Sequence, residues 1–161
     1  MRLAVHPGGS VVVTAPERVS EIVVARFVEK NLAWIESAVV RMRDRKALPV
    51  RGRNAYLKYK EEARRRISAR VQDWCNAYGF SHGRIAIKDT TSLWGSCSRR
   101  GNLNFSYKLI FLPEELQEYV VVHEVCHLQE PNHSRAFWGL VERTLPNYRR
   151  LRSDLQKYLL R

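Results

Sequence analysis

The run His123-Glu124-Val125-Cys126-His127, followed by His133, holds the residues best suited to chemistry in this chain. Two imidazoles four residues apart share one face of an α-helix and can grip one metal ion. A glutamate beside the first can reach a water on that ion, the arrangement of a zinc-dependent hydrolase. Two imidazoles and a water leave tetrahedral zinc one ligand short. His133 offers the third, because Pro131 and Asn132 end the helix and bend the chain back. Glu142, on the next helix, is the rival third ligand, in the manner of histidine–histidine–glutamate sites. The spacing from His127 to His133 matches the metzincin pattern, but Glu130 stands at that pattern's glycine and no clear methionine turn follows. On this reading His123, His127 and His133 hold Zn2+, one position stays open for water, and Glu124 is the catalytic base.

The surroundings favour that reading. Tyr119-Val120-Val121-Val122 precede the motif and Val125-Cys126 lie within it, so the helix is apolar nearly all round and must be buried. Two histidines and a glutamate buried without partners would cost several kcal/mol, and a shared metal removes that cost. A closed structural zinc would favour four protein ligands with cysteine prominent, and it has no need of Glu124. Cys126 is about 100° round the helix from His127 and points elsewhere.

The elements that position these groups follow from patterning. Residues 1–15 read as a β-hairpin, with Leu3 and Val5 alternating, a turn at Pro7-Gly8-Gly9, and a β-branched run Val11-Val12-Val13-Thr14. Ser20-Glu21 opens a long amphipathic helix through Val28, Leu32, Ile35, Val39 and Met42, which runs out near Leu48-Pro49. A second long helix carries Tyr56, Tyr59, Ala63, Ile67, Val71, Trp74 and Tyr78 on one stripe and ends at Gly79. After Gly83, Arg84 to Lys88 alternates as a strand, and Thr90 to Ser98 and Asn102 to Leu112 read as two more. Pro113, Glu114 and Glu115 start the motif helix, and Ser134 caps the next. The fold class is α+β. The expectation is one domain, 1–161, with the hairpin and first helix in 1–50 and the catalytic core in 83–161.

Charge is one-sided, with 28 Lys and Arg against 16 Asp and Glu, a formal +12. Much of the excess lies between Arg41 and Arg70, a stripe able to track phosphates or to attract acidic substrates. No helix-turn-helix or zinc-finger signature accompanies it. No apolar run approaches the roughly 18 residues of a membrane span. The first residues turn before a signal-peptide core forms, so the expected location is cytoplasmic. Cys75, Cys97 and Cys126 lack paired spacing and are read as reduced thiols.

Trp94-Gly95-Ser96-Cys97-Ser98, Gly101 to Phe105, Tyr119 to Leu128, Asn132-His133-Ser134 and Phe137-Trp138 resemble the YgjP-like metallopeptidases, small bacterial zincins related to the SprT-like and WLM proteases. The resemblance covers essentially the whole chain. It implies a zincin-like, minigluzincin core: a short, mostly antiparallel twisted sheet packed on the active-site helix, with an N-terminal hairpin and two long helices. It also implies zinc on His123, His127 and His133 with Glu124 catalytic. The leading expectation is therefore a zinc metallopeptidase acting on peptides or proteins. A basic nucleic-acid-binding module with structural zinc, or a protease recruited to DNA-bound proteins, is the alternative. A nuclease is disfavoured, since phosphodiester chemistry more often uses two metals held by carboxylates. Zincins hold peptides as an added strand beside the metal, and Asn102 to Tyr107 is the candidate edge here.

Overall fold

β1 (Arg2–Val5) and β2 (Val11–Thr14) pair antiparallel, with Leu3 opposite Val13 and Val5 opposite Val11. Gly8 and Gly9 form the turn at φ of 91° and 86°, a region closed to most side chains. The computed structural model describes the chain except Pro7, Asp44, Arg161 and the side chain of Arg41. The first residue of the expected turn, Pro7, and the side chain of the first residue of the basic stripe, Arg41, thus lie outside what is described.

The chain divides into two compact units, Met1–Ala47 and Leu48–Arg161. In the first, the one long helix expected is two: α1 (Glu21–Lys30) and α2 (Leu32–Arg43), meeting at Asn31. The Asn31 amide donates to the Phe27 carbonyl at 2.7 Å, and its backbone N–H turns to Val28 at 2.9 Å. This side chain competes with the helical ladder and breaks it. The two-residue strand β3 (Lys46–Ala47) ends the unit.

The second unit begins with α3 (Gly52–Tyr78), which buries Ala63, Ile67, Val71 and Cys75 along one stripe. Gly79 ends it at φ 72°, with Phe80 N–H bonding back to the Cys75 carbonyl. Part of the basic stripe is consumed here. Arg70 bonds Glu118 at 2.9 Å and Glu114 at 3.3 Å, and Arg66 reaches Glu62 and Gln117. Arg51, Arg53 and Arg65 remain exposed.

Three strands follow: β4 (Ile85–Lys88), β5 (Gly95–Cys97) and β6 (Leu103–Ser106). β6 is central, parallel to β4 and antiparallel to β5. The expected substrate-binding edge at Asn102 to Tyr107 is thus corrected: both sides of β6 are already paired, the edge strands are β4 and β5, and of these β5 lines the cleft of Glu124. The strands are also shorter than the apolar runs suggested. Thr90 Oγ1 closes a turn on the Leu93 carbonyl at 2.6 Å. Ser106 Oγ accepts from Lys108 N–H, opening a 3-10 helix over Tyr107–Phe111. Lys108 is buried, so its charge needs partners. It finds Asp89 at 3.1 Å and the carbonyls of Thr90 and Leu160 at 3.3 and 2.8 Å.

α4 (Glu114–Cys126) is packed by α3, β5, α5 (Arg135–Thr144) and α6 (Tyr148–Leu155), and β7 (Tyr158–Leu159) follows. Leu116, Val121, Val122, Val125 and Cys126 are buried, so the helix is enclosed as its composition requires. No described helix is long and apolar enough to cross a membrane.

Candidate active site

His123 is on the last turn of α4, and His127 caps its C-terminus. Leu128, Gln129 and Glu130 fold back by N–H bonds to Val125 and Cys126, and the chain then returns through Pro131 to His133. Ser134 Oγ accepts from Phe137 N–H at 3.2 Å and starts α5 there. The result brings His123, His127 and His133 together, with one ligand nitrogen from each within 4.8 Å of the others. Among the described residues no other cluster of this kind forms. Glu142, the rival ligand, is on α5 and takes no part in it. Cys126 is buried, with its sulfur 3.9 Å from the Tyr78 hydroxyl.

The cluster has the features of a cation site. His133 Nε2 is 2.9 Å from His123 Nε2, near the separation of about 3.3 Å that two imidazoles on one zinc adopt. His127 Nδ1 donates to the Glu130 carbonyl at 2.9 Å, because a carbonyl only accepts. That bond leaves the Nε2 lone pair of His127 free. Among the described residues His123 Nδ1 is buried with no hydrogen-bond partner, and the other ring nitrogen, Nε2, is the one that faces His133. Burial, then His127 and His133, push His123 down to about 3, while burial lowers His133 too. Both shifts favour the neutral imidazole, the form a metal requires.

Aromatic rings fix these planes. Phe137, fully buried, stacks on His127 at 4.4 Å and meets His123 and His133 edge-on at 4.9 and 4.8 Å. Trp138 stacks on His133 at 5.5 Å and on Tyr148 at 5.1 Å. Sequence patterning marks Phe137 only as an inward residue, since nothing local shows which rings it will meet.

Glu124 is 6% exposed and opens onto the same cleft of about 480 Å³. Burial pushes its carboxyl up to about 8. A nearby divalent charge works the other way and favours the carboxylate. Across the cleft, β5 supplies a residue that the motif alone misses. A Cβ on Gly95 would lie 2.6 Å from Glu124 Cγ, 2.8 Å from Oε1 and 2.9 Å from Cδ. Glycine here makes the space that the carboxylate occupies. Cys97 also lines the cleft, and burial together with Glu124 pushes its thiol up to about 11, away from thiolate chemistry.

Comparison with protein families gives a match to the YgjP-like metallopeptidase domain over residues 1–58 and 50–158. The chain belongs to the YgjP-like metallopeptidase family. The YgjP-like chain is thus a peptidase of the metal-dependent class. Its structure is similar to the metallopeptidase zymogen abylysin of Pyrococcus abyssi, with 20% identity and a TM-score of 0.51 over 55% of this chain and 90% of that one. It is likewise similar to the zymogen jannalysin of Methanocaldococcus jannaschii, with 19% identity and a TM-score of 0.50 over 55% and 92%. These likenesses carry the fold, the zincin-like α+β core expected from the family resemblance. Among curated proteins none matches the sequence.

Proposed function

We propose that this YgjP-like enzyme is a zinc peptidase in which His123, His127 and His133 hold the metal and Glu124 is the general base. The observation that carries the reading is the convergence of three imidazoles with Glu124 on one cleft wall. When bound, zinc supplies Lewis acidity, polarising a carbonyl and lowering the pKa of water towards about 7. Glu124 takes a proton from the attacking water on a carboxylate oxygen and returns one to the leaving amine nitrogen. The His127–Glu130 bond and the Phe137 stack hold the ligand rings, so little reorganisation accompanies the reaction. Removing the metal with a chelator is expected to abolish peptide hydrolysis, and added zinc to restore it. His133→Ala should lower zinc affinity by tenfold or more, roughly, whereas Glu142→Ala leaves zinc content unchanged. Zinc loss in the Glu142 variant with retention in the His133 variant would reverse the ligand assignment.

The peptide has a natural place along β5. Bonds from Ser106 N–H to Trp94 O and from Ser98 N–H to Asn102 O bracket that strand. Antiparallel alternation then turns the N–H and C=O groups of Gly95 and Cys97 away from β6, towards the free edge. Those groups can take an extended peptide as a further strand beside Glu124. N-methylation of the peptide residue facing Gly95 or Cys97 is expected to raise KM by about tenfold per lost bond. An unchanged KM along a methyl scan would exclude this mode of binding.

A further inference from the structure

The cleft has one permanently charged group that the proposed chemistry leaves unused. Among the described residues lining it, Glu124 and Arg152 are the acidic and basic side chains, and Glu124 is committed as base. Arg152 comes from α6, where the other arginines are engaged. Arg150 pairs with Glu115 at 2.6 Å and Asp154 at 3.7 Å, while Arg149 bonds the Tyr148 hydroxyl at 3.2 Å. Arg152 has no carboxylate within ion-pair distance among the described residues. Its guanidinium lies over the Trp138 ring, 5.2 Å from the centroid. Trp138 in turn stacks on His133 and Tyr148, so the indole is fixed and holds the guanidinium one ring away from the third imidazole. This contact orders the arginine without neutralising it.

We infer that Arg152 is a specificity residue that receives a carboxylate of the peptide substrate at the rim of the metal cleft. The inference rests on the peptidase reading above. The guanidinium presents a planar fork of donors that matches a carboxylate in a bidentate way, which an ammonium does not. Arg152 is exposed, so it remains hydrated until substrate arrives and a peptide can reach it without rearrangement. Apolar cleft walls, including Trp94, Val120 and Leu155, strengthen its field. The carboxylate can come from an acidic side chain near the cleaved bond or from a free C-terminus, and the two sources are experimentally separable.

The test uses the zinc-loaded full chain and matched decapeptides carrying Glu, Gln or Lys beside the cleaved bond, each with a free or amidated C-terminus. The carboxylate-bearing forms are expected to be preferred roughly 10- to 100-fold in kcat/KM, with the difference in KM. Arg152→Ala should remove that preference and leave the neutral amidated peptide within about twofold. Arg152→Glu should turn the preference towards Lys. A contrast between Glu and Gln assigns the side chain, and one between free and amidated ends assigns the terminus. Equal treatment of all peptides by the wild type overturns the inference. So does an Arg152→Ala loss shared by every peptide, which would leave Arg152 a prop for Trp138. Fluorescence anisotropy with labelled peptides and zinc-loaded Glu124→Gln protein reads the same contrast without turnover. Arg152-dependent discrimination in binding, with no hydrolysis by the wild type, would sink the proposed zinc and Glu124 assignments and keep the carboxylate contact of Arg152. Hydrolysis without discrimination in binding would sink this one alone.

Discussion

Glu124→Gln is expected to keep zinc and fold while peptide hydrolysis falls by about 10² to 10⁴, the usual worth of a positioned general base. The amide matches the carboxylate in shape, so the close contact with Gly95 and the packing of α4 survive. What it loses is the ability to take a proton from water, and that loss appears in kcat, not in peptide affinity. The change also has a signature in stability. Burial pushes the Glu124 carboxyl up to about 8, so the metal-free folded state binds more protons than the unfolded chain between the ordinary carboxylate range and that value. Metal-free wild type therefore loses stability as pH rises through that window, and the glutamine variant lacks this contribution. Denaturant unfolding of both proteins at pH 5 and pH 8, with zinc content measured alongside, checks this. Hydrolysis at more than a few per cent of wild type would remove Glu124 from the role of base.

The metal motif is legible in the sequence because its information is local. Two histidines at helical spacing, an apolar helix around them and Pro131 beyond it specify a buried turn of helix with a returning loop. The end of α3 at Gly79 is readable for the same reason. The break at Asn31 is hidden, because the apolar periodicity of α1 continues through α2 while a single side-chain bond interrupts the ladder. The run Leu109 to Leu112 imitates a strand. There Ser106 caps a 3-10 helix instead, and the buried Lys108 within it is answered by Asp89 and the Leu160 carbonyl, partners remote in sequence. The central place of β6 likewise comes from parallel pairing with β4, a long-range choice that no residue of β6 announces. The three ligand candidates can thus be read from the chain, whereas the rings that hold them, the edge beside them and the arginine at the rim cannot.

The contact between Gly95 and Glu124 leads to the second large effect. Gly95 has no left-handed φ, so the backbone at this position tolerates alanine and only the space ahead of it does not. An added methyl group would meet Cγ, Cδ and Oε1 of Glu124 at once, so rotation of the carboxylate tip alone cannot relieve the clash. Glu124 must leave its rotamer, or β5 must move off α4, and either displaces the base from the cleft. Gly95→Ala is therefore expected to lower kcat by about 10²-fold, the scale of a 1 Å misplacement in a reacting group. It should also cost about 1–3 kcal/mol of stability through overpacking. The double variants identify the cause. With Glu124→Ala, the three clashing atoms are gone and the stability cost of Gly95→Ala should nearly vanish, a non-additivity that independent sites do not show. With Glu124→Gln, the clash persists but no base remains to be misplaced, so kcat should fall no further. An equal stability loss from Gly95→Ala in the wild type and in the Glu124→Ala variant would mean that the new methyl group disturbs β5 itself, and Gly95 would then have no part in placing the base.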